Sequence, residues 1–137
     1  MKGVLLDTNI ILDIALERRE FFEKSEELLL FINKSHIPVF ITATTVTDIY
    51  YILKKSKGHD STISFLKSLF DFIGICGVNK ETILNALNSE FNDFEDAVQS
   101  YSAIQNGIKI IVTRNISDFK KSNLEVLTPA AFIQQYK

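Results

Sequence analysis

Cysteine is almost absent: the chain has one, Cys76, inside the apolar stretch IGICGV. A single thiol excludes a disulfide framework and a cysteine-based zinc site, and its apolar setting predicts a small core residue. Histidine is nearly as scarce. His36 and His59 stand in unrelated contexts with neither metal-ligand nor Ser/His/Asp spacing, so histidine chemistry is not expected. Only five glycines and two prolines occur in 137 residues, and no repeat, linker or low-complexity stretch interrupts them. The apolar runs are short and broken by charge, and one lysine leads directly into a strand-like segment without a secretory apolar region. No membrane span is predicted, and a cytoplasmic location is expected. A strong charge of either sign is also missing. The formal net charge of −2 gives no global attraction to nucleic acid, so a polyanionic substrate would need local basic patches and bound metal.

What is present is a chain of ordinary single-domain length, 1–137, rich enough in apolar residues to bury a core. Short runs of Val, Ile and Leu (KGVLL, PVFITA, IGICGV, KIIVT, LEVL) alternate with longer stretches of helical period. Strands separated by helices cannot form tight hairpins, so the pattern predicts an α/β fold whose central, mainly parallel sheet is flanked by helices on both faces. Some helix ends can be read directly. Val46, Ile49, Tyr50 and Leu53 share one helical face that ends at Gly58 after a lysine-rich turn. A second helix is expected from about Asp93 to Gly107, and Thr128 followed by Pro129 opens a terminal one.

Four aspartates fall where such a fold places ligands. Asp7 ends the first strand, Asp48 and Asp96 lie in predicted first turns of helices, and Asp118 follows the fourth strand in TRNISDF. In open parallel sheets the strand carboxyl ends and helix N-termini converge on one crevice. The expectation is that Asp7, Asp48 and Asp96 surround one pocket. Taken singly, each acid is also explained as a cap: Thr45-x-x-Asp48 and Asp93-x-x-Asp96 resemble capping pairs, and Asp7 could accept a backbone bond at a turn. Capping does not explain DTN after the first strand together with TRNISDF after a late one.

DTNIILD, TTVTDIYYIL, DFEDAVQSYSAIQNG and IIVTRNISDF, in that order, resemble the motif series of PIN-domain ribonucleases across nearly the whole chain. The similarity extends to small VapC-type toxins of toxin–antitoxin modules. On this resemblance Asp7, Asp48 and Asp96 match the three metal-site acids, and Asn115 and Asp118 the variable fourth position, with Asp118 serving a second ion. Thr8, Asn9, Asp93 and Thr113 become supporting residues. Two departures stand out: aspartate at 48 where the family usually has glutamate, and Asn115 where many relatives carry aspartate. The resemblance further implies an endoribonuclease leaving 5′-phosphate and 3′-hydroxyl ends, a cognate antitoxin and a homodimer.

Clustered carboxylates repel one another unless a cation neutralises them. Oxygen donors without sulfur or imidazole favour Mg²⁺ or Mn²⁺ over zinc. Such an ion supports in-line attack on a phosphodiester. Of the basic residues, Lys54, Lys55 and Lys57 suit a helix C-terminus, and Arg114 is the expected substrate contact. Phe65, Leu66, Leu69, Phe70 and Phe72 are expected in the core or at a subunit interface. Alternatives are a housekeeping RNA-processing nuclease of the same family and a catalytically weakened RNA- or protein-binding module. A phosphoacceptor receiver domain lacks support, because its early acidic pair is missing.

Overall fold

Five strands form at the five aliphatic runs: β1 (Val4–Leu6), β2 (Val39–Thr42), β3 (Gly74–Cys76), β4 (Ile110–Val112) and β5 (Glu125–Leu127). The computed structural model describes residues 1–137. All pairings are parallel and the strand order is β3-β2-β1-β4-β5, with Leu5 opposite Phe40 on one side and Ile111 on the other. The chain builds outward from β1 through β2 to β3, then returns to lay β4 against the other edge of β1. The reversal of direction between β1 and β4 opens a crevice at their carboxyl ends.

Strand alternation divides the core. Val4 and Leu6 face one layer with Val39, Ile41, Ile110 and Val112, while Leu5 and Ile111 face the other with Cys76 and Phe119. The first layer is covered by α1 (Thr8–Ala15), α2 (Phe22–Lys34), α3 (Ala43–Lys57), α4 (His59–Leu69) and α7 (Pro129–Tyr136). The second is covered by α6 (Phe94–Gln105), against which α5 (Lys80–Leu87) packs through Ala86, Ala97 and Val98. No helix is long and apolar enough to cross a membrane. Cys76 is buried, and burial pushes its thiol up to about 11. Leu66 and Leu69 are in the core with Phe65 and Phe70 packed against it, whereas Phe72 is 51% exposed.

The helix starts matter most for the crevice. Thr128 caps α7 above Pro129, and Asp93 caps α6 by accepting from the Asp96 N–H at 3.0 Å. Helix α3 begins earlier than its apolar stripe suggests. Thr42 is its N-cap, accepting from the Thr45 N–H at 3.2 Å, so Asp48 lies in the second turn rather than the first. Thr45 is thus inside the helix, and the proposed Thr45–Asp48 capping pair does not form. Gly58 ends α3 at φ 79°, a left-handed value that favours glycine, and the chain enters α4 at once.

Candidate active site

Asp7 follows β1 and stands at the N-cap position of α1, yet its side chain makes no capping bond. The carboxylate turns away and is held at both oxygens by neutral donors. Gln99 Nε2 on α6 donates to Oδ1 at 3.1 Å, and Thr113 Oγ1, just past β4, donates to Oδ2 at 2.9 Å. Thr113 in turn accepts from the Asn115 N–H at 3.0 Å, which fixes its hydroxyl. Asp7 is 4% exposed. Burial raises its pKa, opposed by the bonds from Gln99, Thr113 and the Thr8 backbone and by the charge of Arg114.

Asp96 is next to Asp7. Burial, followed by the negative charges of Asp93, Asp7 and Asp118, pushes its carboxyl up to about 7. Asp118 acts from an exposed position in the 3-10 turn Ile116–Phe119. Asp96 is thus the acid on which the charges of Asp7, Asp93 and Asp118 converge.

Asp48 belongs to a different contact. Its carboxyl pairs with Glu95, the residue before Asp96, and Glu95 also accepts from Thr8 Oγ1 at 3.3 Å. A chain of hydroxyls runs behind them: Thr42 to Thr45 at 3.0 Å, and Thr45 to Thr8 at 2.9 Å. Burial, then the hydrogen bond and charge of Asp48, raise Glu95 from 4.5 to about 8. Glu95 is missing from the set read off the sequence. An acid in the first turn of a helix is so well explained by the helix dipole that no signal separates it from Glu23 or Glu81.

The remaining residues take other tasks. Asn9 Oδ1 accepts from Arg18 at 3.0 Å and has no bond to a site acid. Arg114, expected to contact substrate, instead forks onto Asp13: Nε to Oδ2 at 3.0 Å and Nη2 to Oδ1 at 3.3 Å. Its guanidinium carbon also lies 3.7 Å from the centre of the Phe21 ring. Asp13 is fully buried and further held by Arg18 and Ser25. The sequence hid this partner within an aliphatic helix. The largest cavity, about 410 Å³, opens at the opposite end of the sheet beside Lys2, Lys109, Glu125 and Tyr136, away from the acids.

No three Asp, Glu, His or Cys side chains converge closely enough to form a finished metal cage. The donor chemistry nonetheless suits a hard divalent cation. The donors are all oxygen, burial raises three carboxyls with repulsion adding to it at Glu95 and Asp96, and Gln99 Oε1 is a buried acceptor with no partner. A cation would relieve the repulsion at Glu95 and Asp96, and Asp7 and Asp96 are the acids that could hold it.

Residues 3–117 match the family described as PIN domain, and the chain belongs to it. Ribonuclease VapC1 of Aquifex aeolicus (strain VF5) is 26% identical over 138 residues, covering 97% of this chain and 94% of that relative. Among solved structures, VapBC2 from Rickettsia felis bound to a promoter DNA fragment is similar, with a TM-score of 0.73 at 17% identity. That match covers 91% of this chain and 97% of the other. VapC20 of Mycobacterium tuberculosis, a sarcin-ricin loop cleaving toxin, has a TM-score of 0.63 at 13% identity, over 80% and 87% of the two chains. At these identities the structural likeness is one of fold.

Two expectations follow from the geometry. Gln99→Leu removes one of the two donors that orient Asp7 and should lower Mn²⁺ affinity or cleavage by ~10–100-fold, the usual cost of losing a ligand's supporting bond. Calorimetric titration of folded variant and parent checks this, and equal affinities would show that Thr113 alone suffices. The second expectation concerns pH. Folding raises Asp7, Glu95 and Asp96, so the native state holds protons that the unfolded chain releases. Their stabilising contribution is present below the ordinary carboxyl range and is lost as pH rises through about 7 and 8. The melting temperature of metal-free protein should therefore fall across this window, and saturating Mn²⁺ should offset the fall. A metal-free melting temperature that climbs instead would contradict the repulsion.

Proposed function

We propose that this chain is an endoribonuclease that uses Mg²⁺ or Mn²⁺ to hydrolyse RNA phosphodiester bonds, and that it is the toxin of a type II toxin–antitoxin module. The observation that carries the reading is the Asp7 carboxylate, locked at both oxygens beside Asp96 in the crevice between β1 and β4. Family membership, a ribonuclease relative matching almost the whole chain and a fold shared with toxin–antitoxin complexes support it. Asp7 and Asp96 would hold the cation, whose chemistry there would be polarisation of a phosphoryl oxygen and a lowered pKa for a bound water.

This chain's own residues prepare the ground for that step. Gln99 and Thr113 fix the rotation of Asp7, Asp93 sets the first turn that presents Asp96, and Asp118 adds negative charge from the open side. Pre-set carboxylates need no reorganisation when charge develops, which is where most electrostatic catalysis originates. The reading includes a cytoplasmic homodimer and an antitoxin that occludes the acids. Exposed Leu84 and Leu87 on α5 supply an apolar patch of the kind that subunit contacts cover.

Pooled cellular RNA incubated with purified protein and Mn²⁺ tests the reaction, with all new ends mapped. Discrete cuts bearing 5′-phosphate and 3′-hydroxyl ends are expected. Metal uptake without any cleavage would favour a binding module over an enzyme.

A further inference from the structure

Asp48 acts on Glu95 and not on Asp96. The charges acting on Asp96 come from Asp93, Asp7 and Asp118, whereas Asp48 acts on Glu95. From the second turn of α3, its short side chain ends on Glu95 rather than among the other site acids. Glu95 begins one residue from Asp96 on α6 and has the longer side chain.

The surroundings of Glu95 differ from those of an acid that only complements a helix dipole. Glu23 and Glu81 hold comparable first-turn positions in α2 and α5, and both are exposed. Glu95 is half-buried, touches a second carboxyl and has no cationic partner, since the chain's ion pairs involve only Asp13 and Glu90 among the acids. It also takes the hydroxyl of Thr8, the residue beside Asp7. Two carboxyls in contact, one half-buried, cost free energy unless they share a proton or a cation.

A second observation comes from one turn further along α6. Gln99, four residues from Glu95 and so on the same helical face, is fully buried. Its Nε2 is committed to Asp7 and its Oε1 has no partner. A buried acceptor left open beside the acids is suited to a donor that arrives with a ligand, such as a water carried by a metal ion.

We propose that Glu95 is a working acid of the site, carrying the α3 side of the crevice to the divalent cation, and that Asp48 is a positioning residue acting through it. This rests on the nuclease reading above. Thr8 and Asp48 both bond the Glu95 carboxyl, and the buried Thr42–Thr45–Thr8 hydroxyls tie that contact to the end of β2.

Glu95→Gln separates this role from a structural one. The amide has nearly the same shape, can donate to Asp48 and can accept from Thr8, so a purely structural pair survives the change. Only the charge is lost. Calorimetric Mn²⁺ titration and cleavage assays on folded wild type, Glu95→Gln, Asp48→Asn and the double variant are the test. Glu95→Gln should lower Mn²⁺ affinity by ~10-fold or more. Asp48→Asn should cost less, and the double variant should be no worse than Glu95→Gln alone, because the two residues act in series. Unchanged affinity in Glu95→Gln overturns the proposal and leaves the nuclease reading intact if Asp7→Asn still abolishes cleavage. A larger loss in Asp48→Asn than in Glu95→Gln reverses the roles and also overturns it. A wild type that neither takes up Mn²⁺ nor cleaves RNA overturns both readings.

Discussion

Asp7→Asn should reduce Mn²⁺-dependent RNA cleavage by ~10³-fold or more, beyond the usual cost of one electrostatic element, because it removes the carboxylate that Gln99 and Thr113 hold in place. Asp96→Asn should do the same. Neither change should unfold the protein. The new amide at position 7 can accept from Thr113 and, once the Gln99 amide turns over, donate to the Oε1 atom that now lacks a partner. Removing this carboxyl ends the desolvation cost of its charge and its repulsion of Asp96, so metal-free Asp7→Asn should melt at the same temperature as the parent or higher. Thermal melts beside cleavage rates at saturating metal are the measurement. Full activity in both variants would place the chemistry elsewhere in the molecule or in a contaminant.

Arg114→Met should act in the opposite way, with a large loss of stability and a small change in catalysis. The fork onto Asp13 supplies two of the bonds to a carboxylate with no exposure of its own, leaving only Arg18 and Ser25 after the substitution. Stripping one partner from a buried ion pair typically costs ~3 kcal/mol. In a domain of this size that lowers the melting temperature by roughly 10 °C. The lost stacking on Phe21 adds to the effect. At a temperature where both proteins are folded, KM for RNA should change little. An unchanged melting temperature with a raised KM would restore Arg114 as a substrate contact.

The contrast between these two residues shows what periodicity can and cannot report. Strand positions follow from aliphatic runs because central strands such as β1 and β4, buried on both faces, must be apolar throughout, and the edge strands β3 and β5 form at runs of the same kind with one or more exposed positions. Asp93, Thr128 and Pro129 announce helix starts because capping chemistry is local in sequence. Asp7 and Asp96 stand out for a related reason: each occupies a strand or helix end that points into the crevice. The partners of those residues are not local. Asp13 looks like a polar interruption in an aliphatic helix until Arg114 is folded onto it, and Gln99 looks like a neutral helix former until Asp7 arrives. The start of α3 was obscured by four threonines in a short run, any of which could cap; the backbone selects Thr42.

The distances along the chain between contacting site residues set an order of events during synthesis. Asp7 is made well before its two fixed donors, which lie 92 and 106 residues downstream. At a translation rate of ~5–20 residues per second, Asp7 waits on the order of 5–20 s for Thr113 to be polymerised, longer still for it to clear the ribosome. Strand β1 cannot acquire its second neighbour before then, since β4 ends at Val112. The fully oriented Asp7 carboxylate therefore cannot exist until Thr113 has been made, however early the rest of β1 and α1 is available.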